Sequence, residues 1–371
     1  MLLIIVLIAA GCGGNNDAKP TQTRRPPTIT PTATPRSTAL PPGSDASPLG
    51  SRARPIDVLI AVPSITPDDD AEEIAANLQR YLRNELSDQL LSELGVPVEN
   101  ATVNVTFATS SQAFQAICGQ PETGNATLVW TDAFTFAAAQ AQCEVTPTLA
   151  LLRENDRRSY VGRSVDIVSR AEINSLSELS GQTLCRIDAQ DFSSWILLGI
   201  ILASEGIEPQ LDLLPARDYP DSAAMVQAIY TGECAAAAIP PGELNDILEE
   251  VINSLDEAGQ AVTLEELQAA IKVLSPAGNT EAPANFENWQ GYDPYVVPYE
   301  VLVFPSDTVI PAATRNLIND LVYDFFKDRE DGEARLGDLF EASDVIQVQP
   351  FQFQAFETLL VQGHWDMALA N

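Results

Sequence analysis

From residue 56 the chain alternates short apolar runs with amphipathic stretches. Positions 57–62 (Asp-Val-Leu-Ile-Ala-Val) read as a buried strand. Asp68, Asp69 and Asp70 then open a helix whose Ile74, Leu78, Tyr81, Leu82, Leu86 and Leu90 keep a 3.6-residue stripe, with acids at the end where the helix dipole favours them. Val103, Val105 and Phe107 alternate as a second strand. Thr109, Ser110 and Ser111 can cap a short helix through Ile117, and 127–130 is a third strand feeding a helix over 131–142. This is one βαβαβ lobe.

After Leu149 to Leu152 and a polar break the scheme restarts. Strands are expected over 160–169, 184–187, 211–214 and 235–239, with helices over 193–204 and 222–230. The last third reads as a strand at 272–274, a loop rich in Pro, Asn and aromatics over 281–298, a strand at 299–304 and an amphipathic helix over 312–327 through Leu317, Leu321 and Phe325. Two lobes with right-handed crossovers follow, lobe one from 56–155 with 297–371 and lobe two from 156–296.

The N-terminus changes the picture of where such a molecule works. Residues 2–10 are an apolar run too short for the ~20 residues of a spanning helix, and they end in Ala9-Ala10-Gly11-Cys12. This resembles a bacterial lipoprotein signal over 1–11, with Cys12 taking the lipid. Residues 12–55 are rich in Pro and Thr and nearly free of large apolar side chains, a composition that cannot offset its own ordering entropy. At ~3.1 Å per residue such a tether reaches roughly 100 Å from the membrane. The expected location is extracytoplasmic, on the bacterial cell membrane.

The other four cysteines, Cys118, Cys143, Cys185 and Cys234, form an even set in an oxidising compartment. Three pairings are open. Cys118–Cys143 with Cys185–Cys234 is favoured because each bond then closes a moderate loop inside one lobe. Zinc is the competing use, but no CxxC occurs and the sole histidine, His364, lies near the C-terminus. No metal or other cofactor is expected.

The chain of 371 residues has 20 Lys+Arg against 52 Asp+Glu, a formal charge of −32, and no basic cluster that could track phosphates. Nucleic acid is excluded as a partner on that ground. One histidine and the absence of GxSxG, GxxxxGK[ST] and HExxH leave little for catalysis, and an enzyme is not expected.

Over 160–240 the order of motifs becomes specific. Tyr160-Val-Gly-Arg-Ser-Val-Asp-Ile-Val, Leu176-Ser-Glu-Leu-Ser-Gly-Gln-Thr-Leu-Cys185, Asp191-Phe-Ser-Ser-Trp195 and Leu202-Ala-Ser-Glu-Gly206 resemble the phosphate/phosphonate substrate-binding proteins of ABC transporters. Leu128-Val-Trp-Thr-Asp-Ala-Phe134 is similar to that family's first-lobe turn, and 218–232 to its later ligand-facing turn. The resemblance implies an α/β, two-lobed type 2 periplasmic-binding-protein fold. Each lobe would be a mostly parallel sheet flanked by helices, with the ligand cleft between lobes. It also implies a monomeric protein that hands a small molecule to an ABC permease and ATPase. A sensor subunit reporting ligand to a membrane partner is the other function this fold serves.

Strand ends and helix starts carry free N–H donors, which places the cleft at Ser64, Ser110, Ser111, Trp130, Thr131 and Asp132 on one side. Tyr160, Asp188, Asp191, Ser193, Ser194, Trp195 and Asp221 form the other. The serines either cap helices or donate to ligand, and the tryptophans either line the cleft or fill the core. By the resemblance, Asp191 and Asp221 stand where phosphonate binders carry a Ser and a His. As ligand contacts they would repel a dianion and, with Asp132, receive an amine. Arg163, Arg186 and Arg217 are the nearest basic side chains that could reverse that argument.

Overall fold

The computed structural model describes residues 47–365 apart from 62–68, 93–94, 96–97, 99, 120–124, 156, 276 and 328–335. The signal, Cys12, most of the tether and Ser64 lie outside the described residues. The end of the tether, 47–55, is packed rather than free. Leu49 is buried in the first core, Thr102 N–H donates to the Gly50 carbonyl at 2.7 Å, and the Arg54 guanidinium donates to the Val309 carbonyl.

The first half runs β1 (Ile56–Ala61), α1 (Asp69–Ser92), β2 (Val103–Ala108), α2 (Ser110–Cys118), β3 (Ala126–Thr131), α3 (Ala133–Gln142) and β4 (Val145–Asn155). Three short strands follow, β5 (Arg158–Tyr160), β6 (Gly162–Arg163) and β7 (Asp166–Arg170), where the alternation of 160–169 suggests one. The break falls where the chain leaves one sheet for the next.

The second sheet is built by β8 (Thr183–Arg186), a π-helical turn Phe192–Leu197 running into α4 (Leu198–Ser204), α5 (Pro209–Asp212), β9 (Leu214–Asp218), α6 (Ser222–Tyr230) and β10 (Ala236–Ile239). Residues 211–214 are therefore mostly not a strand. Pro209 sits at the start of a helical turn, where its missing N–H costs nothing, and the strand begins only at Leu214. Then come α7 (Leu244–Glu257), α8 (Leu264–Ala270), β11 (Ile271–Ser275), β12 (Val297–Pro298), β13 (Val301–Pro305), α9 (Ala312–Lys327), α10 (Leu336–Leu339), β14 (Asp344–Gln347) and α11 (Gln354–Gln362).

Two sheets result. The larger has the order β14-β4-β13-β3-β1-β2 with β5 on β4, and the smaller β11-β7-β10-β8-β9. Both are mixed rather than mostly parallel. Strands joined by helical crossovers are parallel (β1 with β2 and β3, β8 with β9 and β10), whereas β4, β13, β7 and β11, through which the chain leaves and re-enters each sheet, pair antiparallel. The two-stranded ribbon of β6 and β12 lies at the crossing.

The α1 stripe Ile74, Leu78, Leu82, Leu86 and Leu90 is buried with Trp130 and α9 on one face of the larger sheet. Ile117 and Phe136 cover the other. In the smaller sheet Val226, Ile229, Val251 and Leu267 from α6, α7 and α8 form one core. The opposite core joins α4 to Ala133 and Ala137 of α3 and to Phe356, Leu359 and Leu360 of α11. The C-terminal helix, expected with lobe one alone, thus packs on α4. The disulfides are Cys118–Cys143 and Cys185–Cys234, the favoured pairing.

Candidate functional site

Two cavities lie where the sheets meet, at the β6–β12 ribbon. One of about 270 Å³ is lined by Asn155, Tyr160, Arg163, Ser193, Thr280 and Tyr299, with Gly162, Ser164, Pro240 and Pro241. The other, about 180 Å³, is lined by Asp132, Ala133, Phe134, Arg163, Phe192 and the stretch Val297 to Glu300. Arg163 and Tyr299 belong to both and form the wall between them.

The smaller cavity is made by two helix starts facing each other. Asp132 caps α3, accepting from Thr135 N at 2.9 Å, Thr135 Oγ1 at 2.8 Å and Ser110 Oγ at 2.9 Å. Asp191 caps the π-helical turn opposite. The Phe134 and Phe192 rings meet edge-on across the gap, 6.1 Å between centres.

Arg163 projects from the ribbon with its guanidinium carbon 5.5 Å from the Phe192 ring centre and 5.7 Å from that of Tyr299. It forms no hydrogen bond or ion pair among the described residues. The Arg153 guanidinium carbon lies 4.7 Å from the Tyr299 ring centre, and Arg153 is neutralised by Glu300 at 3.2 Å. Burial pushes the Tyr299 hydroxyl above the usual phenol range, with Arg153 and Arg163 pulling back, so at neutral pH it is a neutral donor.

The larger cavity contains no acid. Ser164 Oγ is committed to the Gly278 carbonyl at 3.0 Å. The side chains of Asn155, Tyr160, Arg163, Ser193, Thr280 and Tyr299 have no hydrogen-bond partner among the described residues, although Thr280 is buried. Six uncommitted donors converge on one space.

Of the expected contacts, Asp132, Tyr160 and Ser193 line these cavities, and Ser110 acts through Asp132. The others do not line them. Trp130 is 0% exposed, tilted against Phe340 in the first core, because β3 is an interior strand covered on both faces. Thr131 is buried beside it in the β13 ladder, and Ser111 is the second residue of α2. Asp188 is exposed and accepts from Gln190 N in a local turn. Asp191 and Ser194 bond each other, and the buried Ser194 Oγ also accepts from Ile187 N. Trp195 packs under Arg186, 4.6 Å away, and Asp221 is an exposed cap accepting from Ala224 N.

Arg186 and Arg217 are tied to Asp218 and Glu233. Only Arg163 of the three flagged arginines faces the cavities. Thr280 and Tyr299 come from the returning chain and carry no local motif that would have singled them out.

The sequence profile of the ABC transporter, phosphonate, periplasmic substrate-binding protein family matches residues 63–274, and the chain belongs to that family. Its members are transport substrate-binding proteins rather than enzymes, and they work outside the cytoplasm with ABC transporter components. None of the described helices is long and apolar enough to cross a membrane.

Among solved structures the chain is similar to XAC2383 from Xanthomonas citri bound to ATP (14% identity, 83% of this chain and 97% of that one, TM-score 0.45). It is also similar to PhnD1 from Prochlorococcus marinus in complex with methylphosphonate (14%, 83% and 97%, 0.38). A third is a binding protein component of an ABC phosphonate transporter from Pseudomonas aeruginosa (13%, 84% and 87%, 0.37). No match was found among curated proteins.

Proposed function

We propose that the chain is a monomeric, lipid-anchored extracytoplasmic protein that encloses a small solute at the Arg163 cavities and delivers it to an ABC permease and ATPase. Residues 56–155 with 297–353 act as one lobe and residues 156–296, with α11 packed on α4, as the other, and Cys12 carries the lipid. The supporting observation is the set of six uncommitted polar side chains, Asn155, Tyr160, Arg163, Ser193, Thr280 and Tyr299, around an acid-free space. Thr280 is buried and the other five are partly or fully exposed, so these donors face solvent at the cavity and an enclosed ligand can take the place of that water.

Asp191 is bonded to Ser194 and Asp221 is an exposed cap, and neither lines the cavities around Arg163. An anionic group is accordingly expected at Arg163, and the one carboxylate without a cationic partner at the cavities is Asp132.

The test is a thermal-shift screen of the full chain in detergent against small anions, amines, amino acids and sugars. Solute at 100 times Kd should add about 2.7 kcal/mol of stability. The reading requires at least one solute to stabilise the wild type and to lose that effect in Ser193→Phe, which fills the larger cavity. Stabilisation equal in both proteins, or by no solute at all, contradicts it.

A further inference from the structure

Asp132 and Arg163 line the same 180 Å³ cavity and do not pair with each other. Arg163 is exposed and Asp132 half-buried, so solvent weakens their attraction, and the local contacts of each decide where it sits. Each is held on its own side. Three donors, Thr135 N, Thr135 Oγ1 and Ser110 Oγ, fix the Asp132 carboxylate, while the Phe192 and Tyr299 rings flank the Arg163 guanidinium. The other charges nearby, Glu300 and Arg153, cancel one another. What remains is one cation and one anion at one gap, neither with an ionic partner among the described residues.

We propose, building on the solute-binding reading above, that this gap takes a small aliphatic zwitterion. Its ammonium lies toward Asp132, its carboxylate meets the Arg163 fork, and its methylene chain runs along Phe134, Phe192 and Val297. A planar carboxylate matches the two parallel N–H groups of a guanidinium whose faces are occupied by rings. A monoanionic end leaves the site neutral, whereas a phosphonate dianion leaves an uncompensated charge close to Asp132. Size agrees. A volume of 180 Å³ is about six water-sized portions, which suits an amino acid of roughly three to four carbons with some spill past Arg163 into the larger cavity.

The test is calorimetry on the full chain with γ-aminobutyrate, with butyrate and butylamine as its two halves and methylphosphonate as the competing chemistry. γ-Aminobutyrate should bind at least about 30-fold more tightly than either half. Arg163→Met should weaken γ-aminobutyrate and butyrate by about that factor and leave butylamine unchanged. Asp132→Asn, which preserves the helix cap, should do the reverse. Urea unfolding of each variant checks that the fold is kept. No binding of γ-aminobutyrate, binding no tighter than its halves, or binding indifferent to both substitutions overturns the proposal. Methylphosphonate binding more tightly than γ-aminobutyrate, and lost in Ser193→Phe, overturns the zwitterion and leaves the solute-binding reading standing.

Discussion

Ser193 and Ser194 are adjacent in one π-helical turn and should answer substitution in opposite ways. Ser194 is 1% exposed, and its Oγ accepts from Ile187 N at 2.9 Å and donates to Asp191 Oδ1 at 2.6 Å. Ser194→Ala removes a charge-assisted bond and leaves the Ile187 N–H without a partner. Such an orphan costs about 1–3 kcal/mol and the charged bond about 1.5–3, so with partial rewetting the loss should be about 2–4 kcal/mol. Ser193 is half-exposed, has no hydrogen bond and faces the larger cavity. Ser193→Ala should change stability by less than about 0.5 kcal/mol and weaken solute binding about 2- to 12-fold, the range of one neutral hydrogen bond. Urea unfolding reads the first quantity and calorimetry with a solute from the screen reads the second. A Ser194→Ala protein of wild-type stability with weakened binding would refute the assignment of the two hydroxyls, as would a Ser193→Ala protein that unfolds early and binds normally.

The two disulfides close stretches 25 and 49 residues apart, worth about 3.5 and 4 kcal/mol in the chain-entropy model. Replacing Cys185 and Cys234 by Ser should loosen the smaller sheet first, read by hydrogen exchange at β8 and β10, and non-reducing peptide mapping that finds a crossed pair would refute the pairing. Glu357 on α11 has a buried, unpartnered Oε1, and burial raises its pKa. A raised carboxyl pKa means a folded state that prefers the neutral form. The penalty is therefore absent below the usual carboxylate range and grows as pH rises through the folded pKa. Glu357→Gln should stabilise the protein at pH 7 by up to about 1 kcal/mol and leave it unchanged at pH 4. An equal effect at both values would show that charge is not the cause.

Most elements were legible because one face of each is buried. The α1 stripe and the α9 stripe are period 3.6 over many turns, and β1, β2 and β3 are short apolar runs between helix starts. The misreadings have local causes. Residues 160–169 alternate like a strand although the chain changes sheets at Val161 to Val165, and Leu211 to Leu214 are apolar yet Leu211 is 82% exposed on a helical turn. The amphipathic α7 keeps Ile247, Leu248, Val251 and Leu255 inward, a stripe of the same period.

The site was legible where a residue sits at a strand end or helix start, as Asp132, Tyr160 and Ser193 do. It was not legible where strand parity or a neighbour decides which way a side chain turns. Trp130 lies within β3 and faces the core, whereas Asp132, two residues on, is past the strand's end at the α3 cap and faces the cavity. Ser194 differs from Ser193 only in the partner the turn offers it.

The most direct test is a crystal structure of the protein with the most stabilising solute from the screen. Solute enclosed by Arg163, Ser193, Thr280 and Tyr299, between the two sheets and against the β6–β12 ribbon, is the expected result. Solute seated elsewhere, such as the surface groove beside Trp289 and Phe351, with the Arg163 cavities holding only water, would contradict it.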